Sequence, residues 1–240
     1  MERVAMVIGG SILAPAEPDP AFLGLVADRL ATWGKKVQLF VVVGGGAPAR
    51  RAIEAARACG VAEGDLDRIG IQATRLNAQG LACILRKKGA NANLEIPVTT
   101  AQALRLATQH EVVVMGGTAP GHSTDYVAVE LAVEGKCERF VNATNVDGVY
   151  TSDPNKHKDA KFKPELTFED LLGIIEEREW STAGAAGVLD GPSTVLVASK
   201  GVPTCIVNGR DLDNLGKAVR GEPFHGTRIS GKAVKLVGVR

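Results

Sequence analysis

Several features that would point to particular functions are missing from this chain. No stretch reaches the roughly 20 apolar residues that a bilayer-spanning helix needs. The opening Met1-Glu2-Arg3 runs straight into a strand-like segment without the layout of a signal peptide, so the protein reads as cytoplasmic. Cysteine is scarce and scattered, at positions 59, 83, 137 and 205, with no CxxC pair, and the four histidines do not cluster. That pattern indicates neither a zinc site nor a redox motif, and leaves the thiols as buried or unreactive groups. Charge of one sign is lacking too: 28 Lys+Arg against 27 Asp+Glu give a formal net charge of +1. Such a balance carries no electrostatic footprint for nucleic acid or an anionic membrane, and small-molecule partners fit better. There is no GxxxxGK[ST] loop and no internal repeat.

What is present is an alternation of strand-like and helix-like segments along 240 residues that are 45% hydrophobic. This predicts one continuous α/β domain with a mainly parallel central sheet and helices on both faces. Strands are predicted at 3–8, 37–43, 93–96, 111–115, 139–143 and 204–207, with a terminal hairpin-like pair near 227–229 and 233–239. Helices are predicted from Asp19-Pro20 to Trp33, over Ala47–Cys59, from about Gly70 to Lys88, from Thr99-Thr100 to about Thr108, and from Ser123-Thr124 to about Val133. Further helices lie near 168–177, after Pro192, and near 211–219. Residues 151–164, bounded by Pro154 and Pro164, read as a loop. The glycine- and alanine-rich Ser181–Gly191 is either a flexible linker or an active-site loop that ends at Asp190.

Three apolar runs end in glycine: Val7-Ile8-Gly9-Gly10-Ser11, Val42-Val43-Gly44-Gly45-Gly46 and Val114-Met115-Gly116-Gly117-Thr118. A lone glycine pair is usually a tight strand-to-helix turn. Three of them after buried strands point to a ligand with several phosphates, because glycine lets phosphate reach backbone N–H groups without meeting a Cβ. Gly9, Gly10 and Ser11 are candidate donors, with Ser11 alternatively a plain N-cap. Arg50, one helical turn beyond Gly46, can point back at the same oxygens or stand as a solvated charge like Arg51.

These turns occur in order with Ala49-Arg50, Thr74-Arg75-Leu76-Asn77-Ala78, Pro120-Gly121-His122-Ser123-Thr124-Asp125, and Thr144-Asn145-Val146-Asp147-Gly148-Val149-Tyr150 with Asp153-Pro154. The set resembles the amino acid kinase family, and within it the archaeal-type uridylate kinases, over roughly residues 3 to 230. The resemblance implies transfer of the γ-phosphoryl of ATP, with Mg²⁺ bound through the ATP phosphates and not by protein ligands. It divides the chain at about residue 135 into an acceptor-side lobe and an ATP-side lobe. It implies that Gly9, Gly10, Ser11, Gly46, Arg50, Thr144, Asn145, Tyr150 and Asp153 bind ATP. Gly45, Asp67, Thr118, Ala119, Pro120, Gly121, His122, Ser123 and Thr124 bind UMP, and Arg50, Asp190 and Ser11 are catalytic.

Asp67, predicted to precede the helix carrying Thr74, suits sugar hydroxyls because a carboxylate accepts from both; otherwise it is a helix cap. Tyr150 offers a flat apolar face with a polar tip for a base, or else packs in the core. His122 reads as a loop hydrogen-bonder and not a base, since a phosphate acceptor needs none. Arg75 and Asn77 make either a subunit contact, buried hydrogen bonds or a ligand contact. Val7 and Val195 stand where many family members have lysines. Another small acceptor, or a molybdate or polyoxometalate storage role, would keep the same fold. The resemblance further implies a homohexamer built as a trimer of dimers, with the helix face around Leu76 to Leu85 covered on assembly.

Overall fold

The computed structural model describes residues 1–151, 159–174 and 188–235. The chain opens with β1 (Arg3–Ile8), a short helix α1 (Gly10–Leu13) that the sequence reading missed, and α2 (Pro20–Gly34). Asp19 caps α2 by accepting from the Phe22 N–H at 2.9 Å, with Pro20 in the first turn. β2 (Gln38–Val43) leads to α3 (Gly46–Ala58) and then to the long α4 (Glu63–Lys87). α4 starts well ahead of its predicted beginning at Gly70. Glu63 and Asp65 place carboxylates in its first turn, where the helix N-terminus favours them.

The predicted strand at 93–96 is not formed. Asn93 is fully buried and does a strand's work with its side chain: its Oδ1 accepts from the Val114 N–H at 2.7 Å, and its Nδ2 donates to the Val114 carbonyl at 2.9 Å. α5 (Thr100–Leu106), capped by Thr99, β3 (Val112–Met115) and α6 (Thr124–Glu134), capped by Ser123, follow as expected. The second half contains β4 (Arg139–Thr144), a small antiparallel ribbon of β5 (Val149–Tyr150) and β6 (Phe162–Lys163), then β7 (Glu165–Thr167), α7 (Phe168–Ile174), α8 (Gly191–Lys200), β8 (Thr204–Asn208), α9 (Leu212–Arg220) and β9 (Thr227–Ser230). Residues 236–239 of the predicted terminal hairpin lie outside the described residues, and both edges of β9 are taken by other strands. β9 pairs antiparallel with β8 and parallel with β7. Asp153, residues 181–187 of the glycine-rich stretch, and residues 236–240 fall outside the described residues.

The main sheet has the order β3-β2-β1-β4-β8-β9-β7 and is parallel except at β8–β9. Alternate residues bury into two layers. Val4, Met6, Ile8, Leu39, Val41 and Val43 pack under α2, α4 and α9, whereas Ala5, Val7, Phe40 and Val42 pack under α5, α6, α7 and α8. Burial on both faces is why these strands read as unbroken apolar runs. From β1 the chain moves to β2 and β3, and from β4 it moves the other way to β8. The carboxyl ends of β1 and β4 therefore flank a reversal of strand order, the place where open α/β sheets leave a ligand crevice.

Candidate active site

The turns after β1 and β2 touch backbone to backbone. A Cβ on Gly10 would lie 2.0 Å from the Gly46 nitrogen, and one on Gly44 would lie 2.3 Å from the Gly10 nitrogen. Glycine here first serves the contact of one turn with the other, and that contact sets the N-termini of α1 and α3 side by side. Gly46 also has φ of +63°, which favours glycine on its own account. The Gly9 N–H is taken by the Ala143 carbonyl at 3.0 Å, so its predicted role as a phosphate donor fails on hydrogen bonding. The N–H groups of Gly10, Ser11, Gly45 and Gly46 make no backbone hydrogen bond among the described residues. Donors left open at helix starts are suited to an anion. Ser11 is exposed and lies inside α1, whose N-cap is Gly9, so the N-cap alternative for Ser11 does not hold.

α4 holds two of the glycine turns in place. Asn77 Nδ2 donates to the carbonyls of Gly44 and Gly45 at 2.9 and 3.0 Å. Thr74 Oγ1 accepts from the Gly117 N–H at 2.7 Å, and Arg75 donates to the carbonyls of Gly117 and Thr118 at 3.1 and 3.0 Å. A Cβ on Gly116 would lie 2.6 Å from Thr74 Oγ1, so glycine is again what lets a turn approach the helix. Arg75 and Asn77 thus make partly buried structural hydrogen bonds, the second of the alternatives that their sequence left open.

Between these parts lies a cleft of about 230 Å³. Gly10, Gly45, Gly46 and Arg50 are among its lining residues. Arg50 is exposed and, among the described residues, has no hydrogen bond or ion pair, whereas Arg51 reaches the Ala16 carbonyl at 3.4 Å. Asp67 also lines the cleft. It lies inside α4, whose N-cap is Ala62, so both its predicted position ahead of the helix and the cap reading are corrected. Its Oδ2 accepts from the Gly121 N–H at 2.9 Å, which ties α4 to the 118–124 loop.

Of that loop, Ala119, His122, Ser123 and Thr124 face the cleft, while Thr118 and Pro120 border a separate hollow beside Arg68 and Gln72. The His122 ring lies 4.4 Å from the Tyr126 ring in a tilted contact, and its backbone N–H closes the turn on the Ala119 carbonyl. Sequence reasoning missed Ile53, Gly70, Ile71 and Thr74 as cleft residues. Gly70 carried a usable signal, since glycine inside a helix marks a close approach, here with Ile53 Cδ1, 3.3 Å from where a Cβ would be.

Asp190 caps α8, its Oδ1 accepting from the N–H and Oγ of Ser193, both at 2.8 Å. Its Oδ2 accepts a hydrogen bond from Ser123 Oγ, so Asp190 meets the acceptor loop although it is not among the cleft-lining residues. Burial and the Asp190 carboxylate push the nearby Asp125 carboxyl up to about 8. Val7 is buried on the α6–α8 side of the sheet, and Val195 packs partly buried against the same layer.

Thr144, Asn145 and Tyr150 sit apart from this cleft, at and beyond the end of β4. The Thr144 carbonyl accepts from Gly209 at 2.8 Å. Tyr150 is half-buried with its ring 5.4 Å from Phe162, which in turn stacks on His225 at 5.3 Å. Of the thiols, Cys205 is buried and raised to about 11 by burial, whereas Cys59 and Cys83 are exposed, so burial, one half of the sequence expectation, does not apply to them.

A mainly parallel α/β sheet with open helix starts, a cleft arginine and a cleft carboxylate beyond the carboxyl ends of β1, β2 and β3 is the arrangement of a phosphate-ligand protein. The chain belongs to the amino acid kinase family, whose model matches residues 2–208. It is 40% identical over 220 residues to the uridylate kinase of Methanothermobacter thermautotrophicus, covering 92% of this chain and 96% of that one. It is also 40% identical over 238 residues to the uridylate kinase of Thermoplasma volcanium, covering 97% and 99%. The crystal structure of uridylate kinase from Archaeoglobus fulgidus matches with a TM-score of 0.84 at 36% identity, covering 96% of this chain and 100% of that chain.

Proposed function

We propose that this protein is a uridylate kinase, transferring the γ-phosphoryl of ATP to UMP to give UDP. The observation that carries the reading is one cleft lined together by the turns with unbonded N–H groups at Gly10, Gly45 and Gly46, by Arg50 and Asp67, and by the loop residues 119 and 122–124. Phosphoryl transfer needs little covalent help from a protein; it needs aligned reactants and donors fixed where charge spreads. In this reading Gly10, Ser11, Gly46 and Arg50 hold the transferred phosphoryl and its neighbours, and Gly45 faces the UMP phosphate. Asp67 takes the ribose hydroxyls with the carboxylate oxygen not committed to Gly121. Ala119, Gly121, His122, Ser123 and Thr124 wall the nucleoside, with Thr118 and Pro120 acting through the shape of the loop.

Asp190 acts through Ser123, and Thr144, Asn145, Tyr150 and Asp153 form the adenosine side. Mg²⁺, carried on the ATP phosphates, would neutralise part of their charge; the open N–H groups and Arg50 suit phosphate oxygens and not the cation, which the phosphates themselves would hold. Asp67 lying in the same cleft as the phosphate donors favours a nucleotide acceptor over oxyanion storage.

The two sequence halves, about 1–135 and 136–240, serve as acceptor and ATP lobes of one domain, in a cytoplasmic enzyme that works as a hexamer. The outer side of α4 supplies an exposed Leu76 for assembly, but Leu81 and Leu85 are buried in the chain's own core, so the interface is narrower than Leu76 to Leu85. The test is UDP formation from UMP, ATP and Mg²⁺ at neutral pH. No UDP at micromolar enzyme would overturn the assignment.

A further inference from the structure

We propose that Ser193 is a positioning residue for the acceptor: from behind the cleft it fixes the Asp190 carboxylate, and Asp190 in turn holds Ser123, so that the N-caps of α8 and α6 form one clasp. Its effect on the acceptor rests on the kinase reading, whereas the clasp itself rests on hydrogen bonds. Asp190 is the N-cap of α8 and Ser123 the N-cap of α6, and the two helices pack on each other. Ser193 is fully buried and gives both its N–H and its hydroxyl to Asp190 Oδ1 at 2.8 Å. With both donors on one oxygen, the carboxylate is turned so that Oδ2 meets Ser123 Oγ. Ser123 Oγ accepts from the Tyr126 N–H at 2.9 Å, which leaves its own proton for Asp190. The two hydroxyl oxygens lie 3.5 Å apart, beyond the usual range for a bond between hydroxyls, and the carboxylate bridges them.

An ordinary cap serves only its own helix. Asp190 spends one oxygen on α8 and the other on the cap of a helix whose start lies 67 residues earlier in the chain. The segment leading into Asp190 is anchored as well: Asn142 on β4, itself buried, donates from Nδ2 to the Val188 carbonyl at 2.6 Å. Support therefore runs from the sheet through 188–190 to the acceptor loop. Of these residues only Ser123 lines the cleft, while Asn142, Asp190 and Ser193 stand behind its wall. Asp190 forms no ion pair among the described residues. Hydroxyl and amide donors and the two helix starts hold its charge, and bonds to a carboxylate are strong enough to pass a change in its orientation on to Ser123. Thr194, next in the same helix and also fully buried, has a hydroxyl without a hydrogen-bond partner among the described residues. It shares the setting of Ser193 but not its bonds.

Ser193→Ala keeps the N–H that caps α8 and deletes the second donor to Oδ1. In steady-state kinetics KM for UMP should rise about three- to tenfold, with KM for ATP within about twofold of wild type. Thr194→Val, which has no bond to lose, should leave both constants at their wild-type values. A wild-type KM for UMP in Ser193→Ala would overturn the proposal. So would an equal rise for both substrates, or the same rise in Thr194→Val, because either would mark the packing of α8 in general. In a Ser123→Ala background Ser193→Ala should add nothing, since its route to the acceptor is already cut. A double variant that falls by the product of the two single losses would show that Ser193 acts independently of Ser123 and would refute the clasp.

The wild-type protein supplies a measure that needs neither turnover nor a folded variant. UMP should slow amide hydrogen exchange both in residues 119–126 and in the first turn of α8, residues 191–195, although no α8 residue lines the cleft. Protection of 119–126 alone would overturn the clasp and leave the kinase reading standing. Protection of both segments with no UDP formed would keep the clasp and end the kinase reading. Protection of neither, with no UDP formed, would end both.

Discussion

Arg50 and Asp67 line the same cleft and differ in what they can contribute. Arg50 is exposed and has no protein partner among the described residues, so the fold gains little from its charge. Arg50→Ala should leave urea stability within about 0.5 kcal/mol of wild type and lower kcat/KM by roughly 10²-fold or more, since it removes a donor to developing charge. Full turnover in that variant would take Arg50 out of the mechanism. Asp67 is a ground-state contact in the proposed site and binds acceptor equally before and during transfer. Asp67→Asn keeps an oxygen for the Gly121 N–H but loses the charge. Steady-state kinetics should show KM for UMP up about tenfold with kcat and KM for ATP little changed. An equal rise in KM for ATP would contradict this placement.

At the scale of elements, α4 organises the site more than any single turn does. It begins at Glu63, brings Asp67 into the cleft, and fixes the turns at Gly44-Gly45 and Gly117-Thr118 through Asn77, Thr74 and Arg75. Asn77→Ala would leave two carbonyls without their donor. The expected loss is about 1–3 kcal/mol in denaturant unfolding, with kcat/KM falling alongside it because the α3 start is no longer held against Gly10. A variant as stable and as active as wild type would show that the Gly10–Gly46 backbone contact suffices. The interlocked glycines also explain why those positions admit no side chain, a requirement set by the neighbouring turn as much as by any ligand.

For the whole molecule, ligand binding should be visible without chemistry. UMP at about 100 times its Kd should stabilise the fold by about 2.7 kcal/mol, raising Tm by roughly 5–10 °C for a chain of this size. In Asp67→Asn the same UMP concentration should give about half that shift. An equal shift in the variant would mean that UMP binds elsewhere. The two core layers meet at one sheet whose halves come from the two halves of the sequence, and the cleft lies beyond the strands β1, β2 and β3 of the first half.

Local signals in the sequence determined a great deal here. Unbroken Val and Ile runs ending in glycine marked the buried parallel strands. Asp19-Pro20, Thr99, Ser123 and Asp190-Gly191-Pro192 marked helix starts that the structure repeats with side-chain caps. The motif order led to the family. Other features depended on partners distant in the chain. Gly9 loses its N–H to Ala143, Asn93 replaces a strand with its side chain, and β9 inserts between β8 and β7. Thr118 and Pro120 turn away from the cleft that Gly70 and Ile71 enter. Capping and periodicity are written within a few residues and can be read there. Hydrogen-bond competition and backbone approach exist only once the sheet has brought separate segments together, and only the tertiary structure decides them.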